Sequence, residues 1–180
     1  MLRMTRARAV IAAGFLTIGP MMAGIGSAAA QIDYGTLPVN PNEVTDSTAY
    51  VAAAPIQNPQ GQPGIEASYS HRDGSRTVTD TILVLGSPEA ASAAMGEARG
   101  QVSSQVVGTP QVAPVGSGGS IVAGTSPDGT RSIAVLTFTE GSAFTTVEFE
   151  GPANDPVPVD LVTEYGQKQA AAIRDALVAA

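Results

Sequence analysis

The sequence predicts an α+β fold over residues 65–180, an antiparallel sheet of about five strands packed by two helices. Three observations predict it. Paired β-rich runs flank the turns RDGSR, SPDG and EG. Small apolar residues recur at helical spacing after GSPE, and a second helical stripe follows the proline-rich segment GPANDPVPV. With no cysteine and no tryptophan in 180 residues, the domain has to be held by a core of small side chains rather than by disulfides.

The first 30 residues read as a cleavable signal peptide. Arg3, Arg6 and Arg8 precede a run from Ala9 to Gly26 that is apolar apart from Thr17, and Ala28 and Ala30 occupy the small-residue positions before a cut. Cleavage after Ala30 leaves Gln31 as the first residue. The alternative is a retained anchor, but Gly14, Gly19 and Pro20 interrupt a run that barely reaches the ~20 residues a span requires. Ala7 separates Arg6 from Arg8, which points to general secretion rather than twin-arginine export. Residues 31–64 carry Pro38, Pro41, Pro55, Pro59 and Pro63 among Asn, Gln and Gly and read as an extended tether, with a short patch at Tyr50–Ala54 expected to dock on the domain.

Ile65–His71 and Thr77–Leu85 read as antiparallel strands joined at Asp73 and Gly74. Ser87 is the expected N-cap of a helix with Pro88 at its first position and Glu89 in its first turn. Ala91, Ala94, Met95, Ala98 and Val102 form its small-residue face. Val112–Val115 reads as a short strand and GSGGS, Gly116–Ser120, as a loop. In SIAVLTFT both faces are apolar at the centre, so Arg131–Thr139 is expected as a covered central strand. AFTTVEFE alternates, with Ala143, Thr145, Val147 and Phe149 inward and Phe144, Thr146, Glu148 and Glu150 on a partly wet face. Asp160 is the expected N-cap of the last helix, whose buried stripe includes Val162, Tyr165, Gln169 and Ile173.

The AAAQ cleavage region, the units TDTILVLGSPEAASAAM and IAVLTFTEGSAFTTVEFEG, and the closing DLVTEYGQKQAAAIRDAL together resemble small Ala/Val-rich exported proteins of mycobacteria and related actinobacteria. More distantly they are similar to the LpqN/LpqT lipoprotein group, a resemblance that implies a PsbP-like α+β fold. The lipid-bearing cysteine of those lipoproteins is absent, so no stable membrane anchor is expected after cleavage. The resemblance carries no catalytic residues.

Once Arg3, Arg6 and Arg8 are removed, six basic residues face 16 acidic ones, a net charge of −10. That balance disfavours nucleic acid and anionic lipid surfaces as partners. His71 is the only histidine, so any imidazole chemistry passes through it; Ser70, Ser75 and Ser126 lie in turns or strands, outside any nucleophile elbow. GSGGS lacks the lysine and following helix of a phosphate loop. Glu148 and Glu150, with Asp155 and Asp160, offer oxygen ligands whose spacing matches no calcium loop. Phe144, Glu148 and Glu150 are the candidate surface contacts, an aromatic among acids, the competing reading being that the second helix or the tether covers Phe144.

The sequence therefore predicts no catalytic residue, no metal site and no cofactor. The expected protein is a secreted, non-enzymatic binding or adaptor module, extracellular or loosely associated with the cell envelope, whose partner is an envelope or host protein. A second reading is a carrier of a small apolar or lipidic ligand between sheet and helices. A third is a hydrolase using His71.

Overall fold

The computed structural model describes residues 33–179. The signal peptide and the cleavage point at Ala30 and Gln31 lie outside them. Its strands are β1 (Tyr50–Ala52), β2 (Ile56–Gln57), β3 (Gly64–His71), β4 (Thr77–Val84), β5 (Val107–Val112), β6 (Ser117–Thr125), β7 (Arg131–Glu140) and β8 (Ala143–Pro152). The helices are α1 (Pro41–Thr45), α2 (Pro88–Val102) and α3 (Val159–Ala179). One antiparallel sheet runs β1-β3-β4-β8-β7-β6-β5, with β2 also paired to β3.

The class is the expected α+β, but the described residues hold eight strands and three helices rather than about five and two. The additional strands lie at the edges. β5 begins before the expected Val112–Val115 and contains Pro110, which breaks a strand pattern in sequence yet is tolerated because β5 pairs only with β6. GSGGS is not a free loop; it leads into β6, whose register shifts between Ser117 and Ser120. Glycine is required there, since a Cβ on Gly119 would lie 2.4 Å from the Val115 carbonyl oxygen. At the β3–β4 turn Gly74 takes φ 74° and its N–H donates to the His71 carbonyl at 2.8 Å.

The helices cover opposite faces of the sheet. Ser87 caps α2 as expected, its hydroxyl accepting from the Ala90 N–H at 3.2 Å. Val102 and Val106 then pack on Val122 and Val135 of β6 and β7. On the other face α3 covers Ile82, Leu136, Phe138, Val147 and Phe149 with Val162, Tyr165 and Ile173. Tyr165 meets Phe149 edge to face, with centroids 5.4 Å apart. α3 begins at Val159, one residue ahead of the expected cap, so Asp160 sits in its first turn. Gly166 lets the helix approach: a Cβ there would lie 2.4 Å from Leu136 Cδ2.

The segment expected as an extended tether is folded onto the sheet. Leu37 is fully buried, and Pro41 and Pro59 are buried. Its anchor is α3. The Gln169 amide accepts from the Val39 N–H and donates to the Leu37 carbonyl, each at 2.7 Å, while the Tyr165 hydroxyl lies 2.7 Å from the Val39 carbonyl. Three backbone groups of Leu37 and Val39 that a strand would have paired are thus satisfied by two helix side chains. The Asn42 side chain repeats the device on Tyr50, accepting from its N–H and donating to its carbonyl, both at 2.9 Å.

Two outcomes follow for urea unfolding. Gly166→Ala, which gains ~1 kcal/mol of propensity in an open helix, is expected to lower stability because the added methyl meets Leu136. Gln169→Leu is expected to cost about 2–4 kcal/mol by orphaning two buried backbone groups.

Candidate functional site

The folded N-terminal segment forms one wall of an open cleft of about 350 Å³ at the β3–β4 turn end of the sheet. The opposite wall is the approach to α3. Tyr50, Ala49, Val157, Pro158 and Leu161 supply its apolar surface; Thr45, Ser47, His71 and Arg76 supply its polar groups. Each wall is fixed locally. Asn40 caps α1 by accepting from the Asn42 N–H at 3.0 Å, Pro41 occupies the first turn, and Asn42 then holds Tyr50.

His71 ends β3 and pairs in register with Tyr50. Their rings meet edge to face at 5.4 Å, and His71 Nδ1 lies 2.7 Å from the Asp73 carboxylate. The Asp73 pKa is held well below the usual carboxylate range, first by Ser75 donors and then by His71. Arg76 precedes β4, and its Nη2 donates to Asp155. Arg131 pairs with Glu150 at 2.7 Å and donates from Nη2 to the Ser75 carbonyl, tying β7 to the same turn.

Of the sequence-derived contact residues, Phe144 is corrected. It is only 6% exposed, buried on the α2 face, and is no surface contact. Glu148 and Glu150 share the polar half of that face with Thr77, Thr79 and Thr81. Burial, and secondly Glu150, push the Glu148 carboxyl upward. Asp155 is ion-paired to Arg76, Glu150 to Arg131, and Asp160 lies in α3, so these acids are not gathered into one cage; among the described residues no three acidic or His side chains are placed to hold a metal. His71 makes its one side-chain hydrogen bond among the described residues to Asp73, without a serine nucleophile. Arg76, Ser47 and Leu161 were missed by sequence reasoning. The docking expected of Tyr50–Ala54 was the available signal, and β1 does pair with β3 there.

A small cavity beneath α3, lined in part by Val44, Val78, Phe149 and Tyr165, has a volume of about 20 Å³. That is room for one water.

Asp80 is fully buried on β4, and its carboxyl is pushed up to about 7, mainly by desolvation. Its Oδ2 lies 3.1 Å from the Tyr165 hydroxyl, while Oδ1 has no partner. Tyr165 has one hydroxyl proton. When that proton goes to Val39, a neutral Asp80 can donate to the Tyr165 oxygen and complete a relay; an ionised Asp80 competes with Val39 for it. The other ionisable groups felt here are Tyr69 and Glu43, while burial, and secondly Asp80, keep the Tyr165 pKa far above its ordinary range.

Among solved structures, the extracellular domain of PknH from Mycobacterium tuberculosis is similar in fold. The match has a TM-score of 0.56 at 13% identity and covers 78% of this chain and 92% of that chain. At that identity the likeness is one of fold. No family model and no curated protein matches the sequence. No described helix is long and apolar enough to cross a membrane.

Folded Asp80 retains its proton up to about pH 7, whereas the unfolded carboxyl releases it near 3.8. The native state therefore binds more protons in that window, and stability falls as pH rises through it, by up to about 4 kcal/mol, before levelling off. Asp80→Asn is expected to flatten this slope and to be more stable than the parent at pH 8 but not at pH 4, as read by urea unfolding at the two pH values.

Proposed function

We propose that this chain is an exported, non-enzymatic binding module acting outside the cell or at its envelope, and that the cleft beside His71 and Arg76 receives its ligand. The observation that carries the reading is the fold likeness to an extracellular domain, spanning 92% of that domain. The cleft supports it, because about 350 Å³ lies within the range of small-molecule sites and its walls combine an apolar lining with a few fixed polar groups. The signal peptide read from the sequence gives the route of export. An origin in mycobacteria or related actinobacteria, a PsbP-like fold and kinship with the LpqN/LpqT group belong to the same proposal and agree with the fold likeness to a mycobacterial domain.

The non-enzymatic part rests on the site's chemistry. His71 is positioned by Asp73, but no activated nucleophile bonds to it among the described residues.

Native mass spectrometry of the protein recovered from the culture medium of its host is the test. The expected species begins at Gln31 and carries a non-covalent small molecule that is lost on denaturation. A ligand-free chain that cross-links to an envelope or host protein would instead assign the adaptor role. Hydrolytic turnover of any substrate that disappears in His71→Ala would overturn the non-enzymatic reading.

A further inference from the structure

We propose that the cleft takes an acidic amphiphile, a small molecule with a phosphate or carboxylate head set against Arg76 and an apolar body laid along Tyr50 and Leu161. This rests on the binding-module reading and names its ligand class.

In a chain with 16 acidic and nine basic residues, the lining contains an arginine and the only histidine but no carboxylate. Each of these two side chains is bonded to an acid. Asp155, whose side chain is 69% exposed, engages Arg76 through Nη2, and Asp73 engages His71 through Nδ1. Neither Asp73 nor Asp155 lines the cleft.

Each acid engages one nitrogen of its partner. Arg76 has a fork of five N–H donors, of which the bond to Asp155 uses a single nitrogen; its side chain is 19% exposed, so the guanidinium is held rather than swinging in solvent. The fork suits the paired oxygens of a phosphate or carboxylate, which is why a neutral head would forfeit the charge-assisted bonds. With Nδ1 turned to Asp73, His71 presents Nε2 away from that carboxylate. A neutral ring offers it as an acceptor for a hydroxyl beside the anion.

Support from behind keeps this geometry fixed. Arg72 donates to the Thr48 carbonyl at 2.8 Å, joining the turn to the N-terminal wall, and Arg131 joins it to β7 through the Ser75 carbonyl at 3.2 Å. The opposite wall is apolar. Leu161, Val157 and Pro158 face Tyr50 across the cleft, so a ligand with a head alone would leave that surface wet.

Hexyl phosphate, hexyl glucoside and inorganic phosphate, titrated separately into the 15N-labelled chain, test the proposal. Hexyl phosphate is expected to move the amides of Ser47, Tyr50, His71 and Leu161 saturably, binding at least about tenfold more tightly than either of the other probes. Arg76→Gln is expected to reduce hexyl phosphate to the level of the glucoside. Co-sedimentation with phosphatidylglycerol vesicles, lost in the same variant, would place the head on a bilayer; binding of the monomeric probe without the vesicles would place it on a free amphiphile. Equal binding of glucoside and phosphate by the parent protein overturns the proposal without recourse to a variant, as does the absence of any response at the cleft amides. An uncharged native ligand in the mass spectrum alongside either result would leave the binding-module reading standing; no native ligand and no response would remove both.

Discussion

The grip of α3 on residues 37–39 is the constraint on which the rest of the molecule depends. Gln169 and Tyr165 satisfy three buried backbone groups that have no strand beside them. Without that grip, Leu37 would leave the core and α1 would lose its support. The N-terminal wall of the cleft would go with it. A buried unpaired N–H or carbonyl costs more than an average hydrogen bond contributes, so the arrangement is held chiefly by the penalty for breaking it. Asp80 stands at its far end, and the proton it keeps or loses decides how the Tyr165 hydroxyl is shared.

The two faces of the sheet are unequal partners. α3 covers aromatic and branched side chains, and it comes close because position 166 has no side chain to hold it away. On the α2 side, Val102 and Val106 meet a strip of valines while the helix itself is built largely of small residues, leaving Glu66, Thr79, Thr81 and Glu148 only partly covered. A thick hydrophobic layer on one side and a thin one on the other leave the stability of the sheet chiefly to the side where the N-terminal segment is trapped.

Much of the fold was legible in the sequence because it is written in periodic patterns and turn chemistry. Asp73-Gly74 and Asp128-Gly129 announced hairpins, Ser87-Pro88-Glu89 announced a helix start, and the doubly apolar centre of SIAVLTFT announced a covered strand. Residues 33–64 were misread because proline and asparagine mark tethers and capped, side-chain-paired segments alike. An amide that stands in for a strand leaves no period, and its partner lies 130 residues away. Phe144 was assigned to the wet face on correct alternation; what strand periodicity could not reveal is that α2 covers that part of the sheet. The cleft was hardest to foresee, since its walls come from four stretches of chain and only their convergence gives Arg76 and Leu161 a common role.

The spacing of the grip has a kinetic consequence. Residues 37–39 are synthesised early, and the side chains that hold them stand 126 to 132 residues later. A chain emerging in order cannot close this loop until α3 has followed as far as Gln169. Contacts of such long range are slow to form, so the nascent polypeptide stays unlatched while most of it is being made. Under the export proposed above, that delay keeps the chain pliable during transit and reserves the final locking step for the far side.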